Sequence, residues 1–264
     1  MLKVDRICKT FNPGTINEKK ALENLSLNLK EGDFVTVIGS NGAGKSSLMN
    51  AVAGVWPIDS GTIELAGENI TALPEYRRAK LIGRVFQDPM MGTAADMWIE
   101  ENLAIALRRG QKHKLKWMVT KQDRELFRER LKVLGLGLED RLQVKVRLLS
   151  GGQRQALTLL MASLRRPKLL LLDEHTAALD PATAAKVLEI SDQIVPENNL
   201  TTLMITHNMN DAIRHGNRLI MMNAGKIILD IEGEEKKHLT KQQLLDKFAE
   251  LAGRQEENDA VLLS

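Results

Sequence analysis

Aromatic side chains are scarce in this sequence: Phe, Trp and Tyr together make up 3% of its 264 residues. A core must therefore be built from aliphatic side chains, which a hydrophobic content of 43% allows. Cys8 is the only cysteine, which excludes an internal disulfide and a cysteine-based zinc site. No apolar run reaches about 18 residues, so no stretch spans a membrane as a helix unaided. The opening Met1-Leu-Lys-Val-Asp-Arg lacks the apolar centre of a signal peptide, and a cytosolic chain is expected. A large excess of one charge is missing too; a net of +3 does not by itself point to nucleic acid. Low-complexity tracts and solenoid repeats are also absent. The length fits one large domain, or one domain with an inserted lobe.

What is present centres on Gly39, Ser40, Asn41, Gly42, Ala43, Gly44, Lys45, Ser46 and Ser47. The run follows apolar Phe34-Val-Thr-Val-Ile38 and precedes Leu48-Met-Asn-Ala-Val-Ala-Gly54, giving the order strand, glycine-rich turn, helix. Glycines let backbone N–H groups curl around an anion without Cβ obstruction, and the helix N-terminus adds unpaired donors. Lys45 is expected to reach the β- and γ-phosphates of a nucleotide and the Ser46 hydroxyl to ligate Mg²⁺.

Upstream, residues 2–11 and 22–29 read as strands joined by a loop with Asn12-Pro13-Gly14. Phe11 either stacks on a base or serves as a core or rim residue. Thr62–Ala66 and Leu81–Phe86 are further strands, and Pro89 leaves Gln87 at a strand exit. There its amide either ligates Mg²⁺ or holds a water, or is simply a solvated polar group. From about Gly92 to Arg165 the pattern turns helical and more charged, as in an inserted lobe. Within it Arg108–Arg124 holds seven basic residues and His113 against Asp123 alone. That stretch is either a nucleic-acid or headgroup patch or a solvated helix face anchored by Trp117.

Ser150 and Gln153 are spaced as a capping box, yet Gly151 and Gly152 weaken the helix they open. This helix start is either a plain capped start or, being donor-rich, a second anion site. Leu169–Leu172 suits a buried parallel strand, and it ends in Asp173 and Glu174. Two carboxylates there are costly unless a metal or water chain engages them. Asp173 is expected in the Mg²⁺ shell, and Glu174 is expected to orient or deprotonate an attacking water. Asp180-Pro181 opens a helix as N-cap and first turn. After the strand Thr202–Ile205 comes His207, near the same phosphates, whereas His215 ends the next helix and reads as structural. Arg218–Met222 and Lys226–Ile231 form a hairpin, and Thr240–Gln243 caps a final amphipathic helix with Leu244, Leu245, Phe248 and Leu251 inward.

Taken in order, these elements resemble the ATPase subunit of an ABC transporter over nearly the whole chain. Leu149–Gln153 resembles the family's signature motif, Gly39–Ser46 its Walker A loop, Leu169–Asp173 its Walker B strand and Glu174 its catalytic glutamate. Gln87 falls at the Q-loop, Ala178–Asp180 at the D-loop, His207 at the switch histidine, and Phe11 at the A-loop aromatic. The resemblance implies an α/β P-loop NTPase core with an N-terminal antiparallel β subdomain and an inserted α-helical subdomain. The expected boundaries are one domain over 1–253, with core 1–87 and 166–231, helical subdomain 88–165, C-terminal helix 240–253 and a loose tail 254–264.

The same resemblance implies ATP and Mg²⁺ as cofactors and a head-to-tail dimer of identical chains. In that dimer Ser150, Gly151, Gly152, Gln153 and Asp180 meet the nucleotide bound by the other copy. Permease subunits would dock near Gln87 and the helical subdomain, with an extracellular substrate-binding protein in the complex and no nucleic acid. The chain would then sit on the inner face of the membrane through the permease. Arg84–Pro89 and Leu171–Pro181 look like a bacterial uptake subgroup assigned to amino acids such as tryptophan. An exporter, or a soluble ATPase acting on ribosomes or DNA, is the alternative. His175 stands where many relatives have proline, which is expected to alter local packing and not the chemistry.

Overall fold

The computed structural model describes residues 1–111 and 117–252. Part of the basic stretch (112–116) and the tail expected at 254–264 lie outside the described residues. The chain begins β1 (Leu2–Phe11), β2 (Lys19–Leu29), β3 (Phe34–Gly39), α1 (Lys45–Ala53), β4 (Ser60–Leu65), β5 (Glu68–Asn69), α2 (Glu75–Arg78) and β6 (Ile82–Val85). There follow α3 (Ile99–Leu107), α4 (Lys121–Lys132), a 3-10 turn (Val146–Leu148), α5 (Gly151–Ser163), β7 (Leu169–Asp173) and α6 (Pro181–Glu197). It closes with β8 (Thr201–Ile205), α7 (Met209–Arg214), β9 (Arg218–Asn223), β10 (Lys226–Glu232), α8 (Glu234–Lys237) and α9 (Lys241–Ala252).

Two compact units divide these elements, one of residues 1–78 and 199–264, the other of residues 79–198. In the first, β2-β1-β4-β5 form an antiparallel sheet whose β2 alternates buried Leu25, Leu27 and Leu29 with exposed Ser26 and Asn28. By contrast every residue of β3 is buried, as a run apolar but for Thr36 requires, between parallel neighbours β8 and β9. The only polar side chain in β3, Thr36, donates to the Ala212 carbonyl at 2.8 Å. The β9–β10 hairpin turns on Ala224 and Gly225 with φ of +44° and +77°, a left-handed pair matching strand twist.

Helices α7 and α9 cover this sheet, with Met209, Ala212, Leu244 and Phe248 against Ile38, Leu219 and Met221. The capping box at Thr240 and Gln243 forms as read, its amide contacts at 2.8 and 3.3 Å. Leu251, expected inward, is exposed instead. His215 is buried at the C-cap of α7, where its carbonyl accepts a hydrogen bond from the buried Lys236 ammonium. The C-terminal end of α1 is held by the buried guanidinium of Arg78. It donates to the carbonyls of Ala51 and Val52 at 2.8 Å each, of Leu73 at 2.7 Å and of Thr71 at 2.9 Å. Burial pulls the Arg78 pKa below its ordinary value.

In the second unit β6 and β7 pair in parallel. Gly83 permits β6 to approach α5: a Cβ there would stand 2.6 Å from the Ala162 carbonyl oxygen. Helices α3 and α4 are clasped by Arg124, whose fork meets Glu100 at 2.7 and 2.9 Å. Arg108 pairs with Asp123 at 3.1 Å, so Arg108 and Arg124, at the two ends of the basic stretch, are both answered inside the unit. Trp117 does not anchor that stretch; it is 87% exposed. Among the described residues no helix is long and apolar enough to cross a membrane.

Candidate functional site

The first unit carries the phosphate loop. Gly39, at φ +150°, could not bear a side chain, because a Cβ would lie 2.2 Å from the Met222 carbonyl oxygen. Gly44 is the left-handed N-cap of α1 and caps it without a side chain, leaving the helix's first amides available to an anion. The hairpin tip backs the loop, with the Gly225 amide donating to Ala43 at 2.9 Å. Lys45 is 5% exposed and its ammonium donates to the carbonyls of Gly39 and Ser40 at 2.6 and 3.0 Å. The loop thus holds its lysine folded over its own carbonyls. Asn41, Gly42 and Ser46 are exposed, Ser47 is half-buried, and Ser40 and Ala43 are buried.

Strand register brings His207 to this loop. β3 and β8 pair Val37 with Ile205, so Gly39 and His207, each two residues onward, leave adjacent strands at one level. His207 is half-buried, and Asn208 after it caps α7 through the Asn210 and Asp211 amides at 2.9 and 3.3 Å. Phe11 is half-buried and meets Trp56 edge-to-face, ring centroids 4.9 Å apart, with Lys9 at 5.6 Å from its ring. Its cross-strand partner is Lys19, whose ammonium stands 3.3 Å from where a Cβ on Gly42 would be. Neither Trp56 nor Lys19 belongs to a sequence motif, and only the fold reveals them.

The second unit carries the carboxylates, Gln87 and the signature helix. Val85 pairs with Leu172, so Phe86 is level with Asp173 and Gln87 with Glu174 where β6 and β7 end. Gln87 is exposed; Asp173 and Glu174 are half-buried. Asp173 is engaged by Arg84 at 2.9 Å, a contact the sequence did not announce. Glu174 has φ +46°, left-handed for a residue with a Cβ, and its carbonyl accepts the Ala177 amide at 3.0 Å. The adjoining His175 is buried, its ring 3.2 Å from the Ser191 hydroxyl on α6.

Ser150 caps α5 with Gln153 reciprocating, the contacts at 3.3 and 3.2 Å. Ser150 and Gly151 are exposed but Gly152 is buried, and a Cβ on it would lie 2.0 Å from the Thr183 methyl. Packing inside the chain therefore already demands this glycine. Asp180 is exposed and caps α6 through the Thr183 amide at 3.1 Å; bonds from the Thr183 hydroxyl and amide lower its pKa.

The hydroxyl of Ser46, the amide of Gln87 and the carboxylate of Asp173 are hard oxygen donors of the kind Mg²⁺ takes. Among the described residues no three His, Cys, Asp or Glu side chains cluster to hold a metal by themselves. Taken unit by unit, donors of this kind suit a cation that also takes oxygens from phosphate.

Comparison with known proteins agrees with this chemistry. The ABC transporter family profile matches residues 22–177. A tyrosine transport ATP-binding protein of Clostridioides difficile is 46% identical over 94% of this chain and 98% of its own length. A methionine import ATP-binding protein of Clostridium tetani is 32% identical over 93% of this chain and 76% of its own. Among solved structures, a dimeric post-hydrolysis ATP-binding cassette bound to ADP and Pi superposes with a TM-score of 0.75 at 28% identity, over 88% of this chain and 98% of that one. The ADP conformation of another ABC transporter cassette also gives 0.75, at 27% identity over 94% and 98%. With its phosphate loop, its strand-end carboxylates and its signature helix, the chain belongs to the ABC transporter family, as an ATP-binding subunit that hydrolyses ATP.

Proposed function

We propose that this subunit dimerises on ATP and powers import of a small solute, an amino acid of the aromatic class, through a partner permease. The observation that carries the solute class is the 46% identity to a tyrosine transport ATP-binding protein, spread over 94% of this chain. Lys45 and the amides of Gly39–Ser47 bind the nucleotide phosphates, and Phe11 offers the base an aromatic face. Ser46, Gln87 and Asp173 are the residues that would hold Mg²⁺, and the ion would supply positive charge to the phosphates. Glu174 orients a water and takes its proton as the water oxygen bonds to the γ-phosphorus and the β–γ bridge breaks. His207 holds the γ-phosphate. Ser150, Gly151, Gly152, Gln153 and Asp180 serve the nucleotide held by the second copy.

Permease subunits dock around Gln87 and the helical segment 88–165, where Met90, Met91 and Trp98 are exposed. The subunit is thereby held on the inner face of the membrane, with a substrate-binding protein on the outer face. The core comprises 1–87 and 166–231 of a single domain extending to 253. Replacing Glu174 with Gln tests the scheme: turnover falls at least about 100-fold while an ATP-bound dimer accumulates. Normal hydrolysis by that variant overturns the assignment. Co-purification with the permease, followed by solute-stimulated ATPase assays over a panel of amino acids, tests the import reading.

A further inference from the structure

One cation beside the strand-end carboxylates opens the segment Arg84–Pro89, and no motif gives it a role in the chemistry. Arg84 lies on β6 opposite Leu171, two residues before Asp173, so a long side chain from that register position reaches the carboxylate. Its Nη2 donates to Asp173 Oδ2 at 2.9 Å, and the two side chains are only 12% and 16% exposed. The guanidinium also stands 4.7 Å from the centre of the Phe86 ring, the residue before Gln87. Arg84 Nε is buried and makes no hydrogen bond among the described residues, while Nη2 is held by the Asp173 carboxylate.

We propose that Arg84 is a positioning residue for the metal-shell carboxylate. It fixes Asp173 through Oδ2 before nucleotide arrives, and its standing positive charge tempers the pull of that carboxylate on a divalent cation. This rests on Asp173 serving the nucleotide-bound metal, as proposed above. The physical case has three parts. A guanidinium stays protonated at any working pH, so its charge is permanent. A carboxylate offers about four lone-pair sites on two oxygens, so one oxygen can be held while Oδ1 serves the metal shell. Partial withdrawal from water strengthens the repulsion between guanidinium and metal well beyond its value in bulk solvent. Arg84 thus gives up some metal affinity, through its positive charge, for a carboxylate of fixed orientation.

The test is Mn²⁺ binding to the ADP complex, followed by electron paramagnetic resonance, so that no turnover is needed. Arg84→Met should tighten Mn²⁺ about 3- to 10-fold, whereas Arg84→Lys, which keeps the charge, should stay within about twofold of wild type. Arg84→Gln should give the same tightening where Arg84→Met does not fold. Asp173→Asn is measured beside them and should weaken Mn²⁺. If it does not, the metal role of Asp173 falls and this proposal with it. If Asp173→Asn weakens Mn²⁺ but the uncharged Arg84 variants follow the wild-type curve, the Arg84 role alone is overturned. Metal-free urea unfolding gives the second reading: the effects of Arg84→Gln and Asp173→Asn should be non-additive in the double variant. Strict additivity also overturns the proposal.

Discussion

Gly152 permits a test that separates packing inside the chain from recognition across a dimer. A methyl placed on it would stand 2.0 Å from Thr183 Cγ2, against an unstrained carbon contact of about 3.5–4.0 Å. Overpacking of this kind costs about 1–3 kcal/mol, while alanine returns up to about 1 kcal/mol over glycine in a helix interior and less in its first turn. Gly152→Ala should therefore destabilise the chain by about 1–2 kcal/mol. Thr183→Ser deletes Cγ2 alone and leaves Cβ and Oγ1 at 3.4 and 3.8 Å from the new methyl, ordinary contacts. Serine also keeps the hydroxyl that bonds Asp180. In urea unfolding, with the slope unchanged, Gly152→Ala in the Thr183→Ser background should then cost less than about 0.5 kcal/mol. A wild-type midpoint for Gly152→Ala, or no recovery in the double variant, refutes the packing argument. The same double variant in a Glu174→Gln background reports on the dimer. If α5 must approach a second copy's phosphate at Gly152, the variant folds yet fails to dimerise with ATP; normal dimerisation leaves Thr183 as the whole reason for the glycine.

Other outcomes follow from contacts described above. Arg78→Met strips donors from four carbonyls in the interior and should cost about 3–5 kcal/mol in urea unfolding; a loss under about 1 kcal/mol would show that α1 caps itself. Lys19→Glu should weaken ATP binding about 3- to 10-fold in dilute buffer and much less at high salt, with Lys20→Glu as the control; equal effects at both positions refute a local role for Lys19. Burial raises the Asp211 carboxyl pKa against the opposing charges of His215 and Arg214. A raised acid binds its proton more readily when folded, so its contribution to stability declines as pH rises from its unfolded value through its folded one. Asp211→Asn should remove that decline, and thermal midpoints that shift equally at pH of about 4 and 7 would refute it.

The sequence was most readable where a structure is decided within a few residues. The caps at Ser150, Asp180 and Thr240 involve partners three positions away, so spacing alone defines them. The phosphate loop and the buried strands were equally local, since glycine pattern and apolar run carry them. Partners distant in sequence were not readable. Arg84 and Asp173 are 89 residues apart, and only the β6–β7 register juxtaposes them. Nothing in the sequence around Arg78 points to Ala51 and Val52, whose carbonyls its guanidinium meets. Leu251 fails for a related reason: helical periodicity says which way a residue faces but not where the opposing surface stops. Gly152 was ambiguous because an anion site and a close Thr183 both favour glycine there, whereas the capping box explains only Ser150 and Gln153.

The left-handed backbone at Glu174 has a consequence for how such a subunit evolves. Asparagine and glycine tolerate φ near +46°, whereas glutamate holds it at a cost of roughly 1–3 kcal/mol. Replacing Glu174, the general base in the proposed scheme, by either residue should thus make the fold tougher while silencing it. A library screened only for survival on heating would be expected to enrich inert, ATP-clamped cassettes at this one position. Selection through solute-dependent growth would remove them. Conformational preference and chemistry pull against each other at a single peptide unit, and only a demand for turnover keeps the carboxylate there.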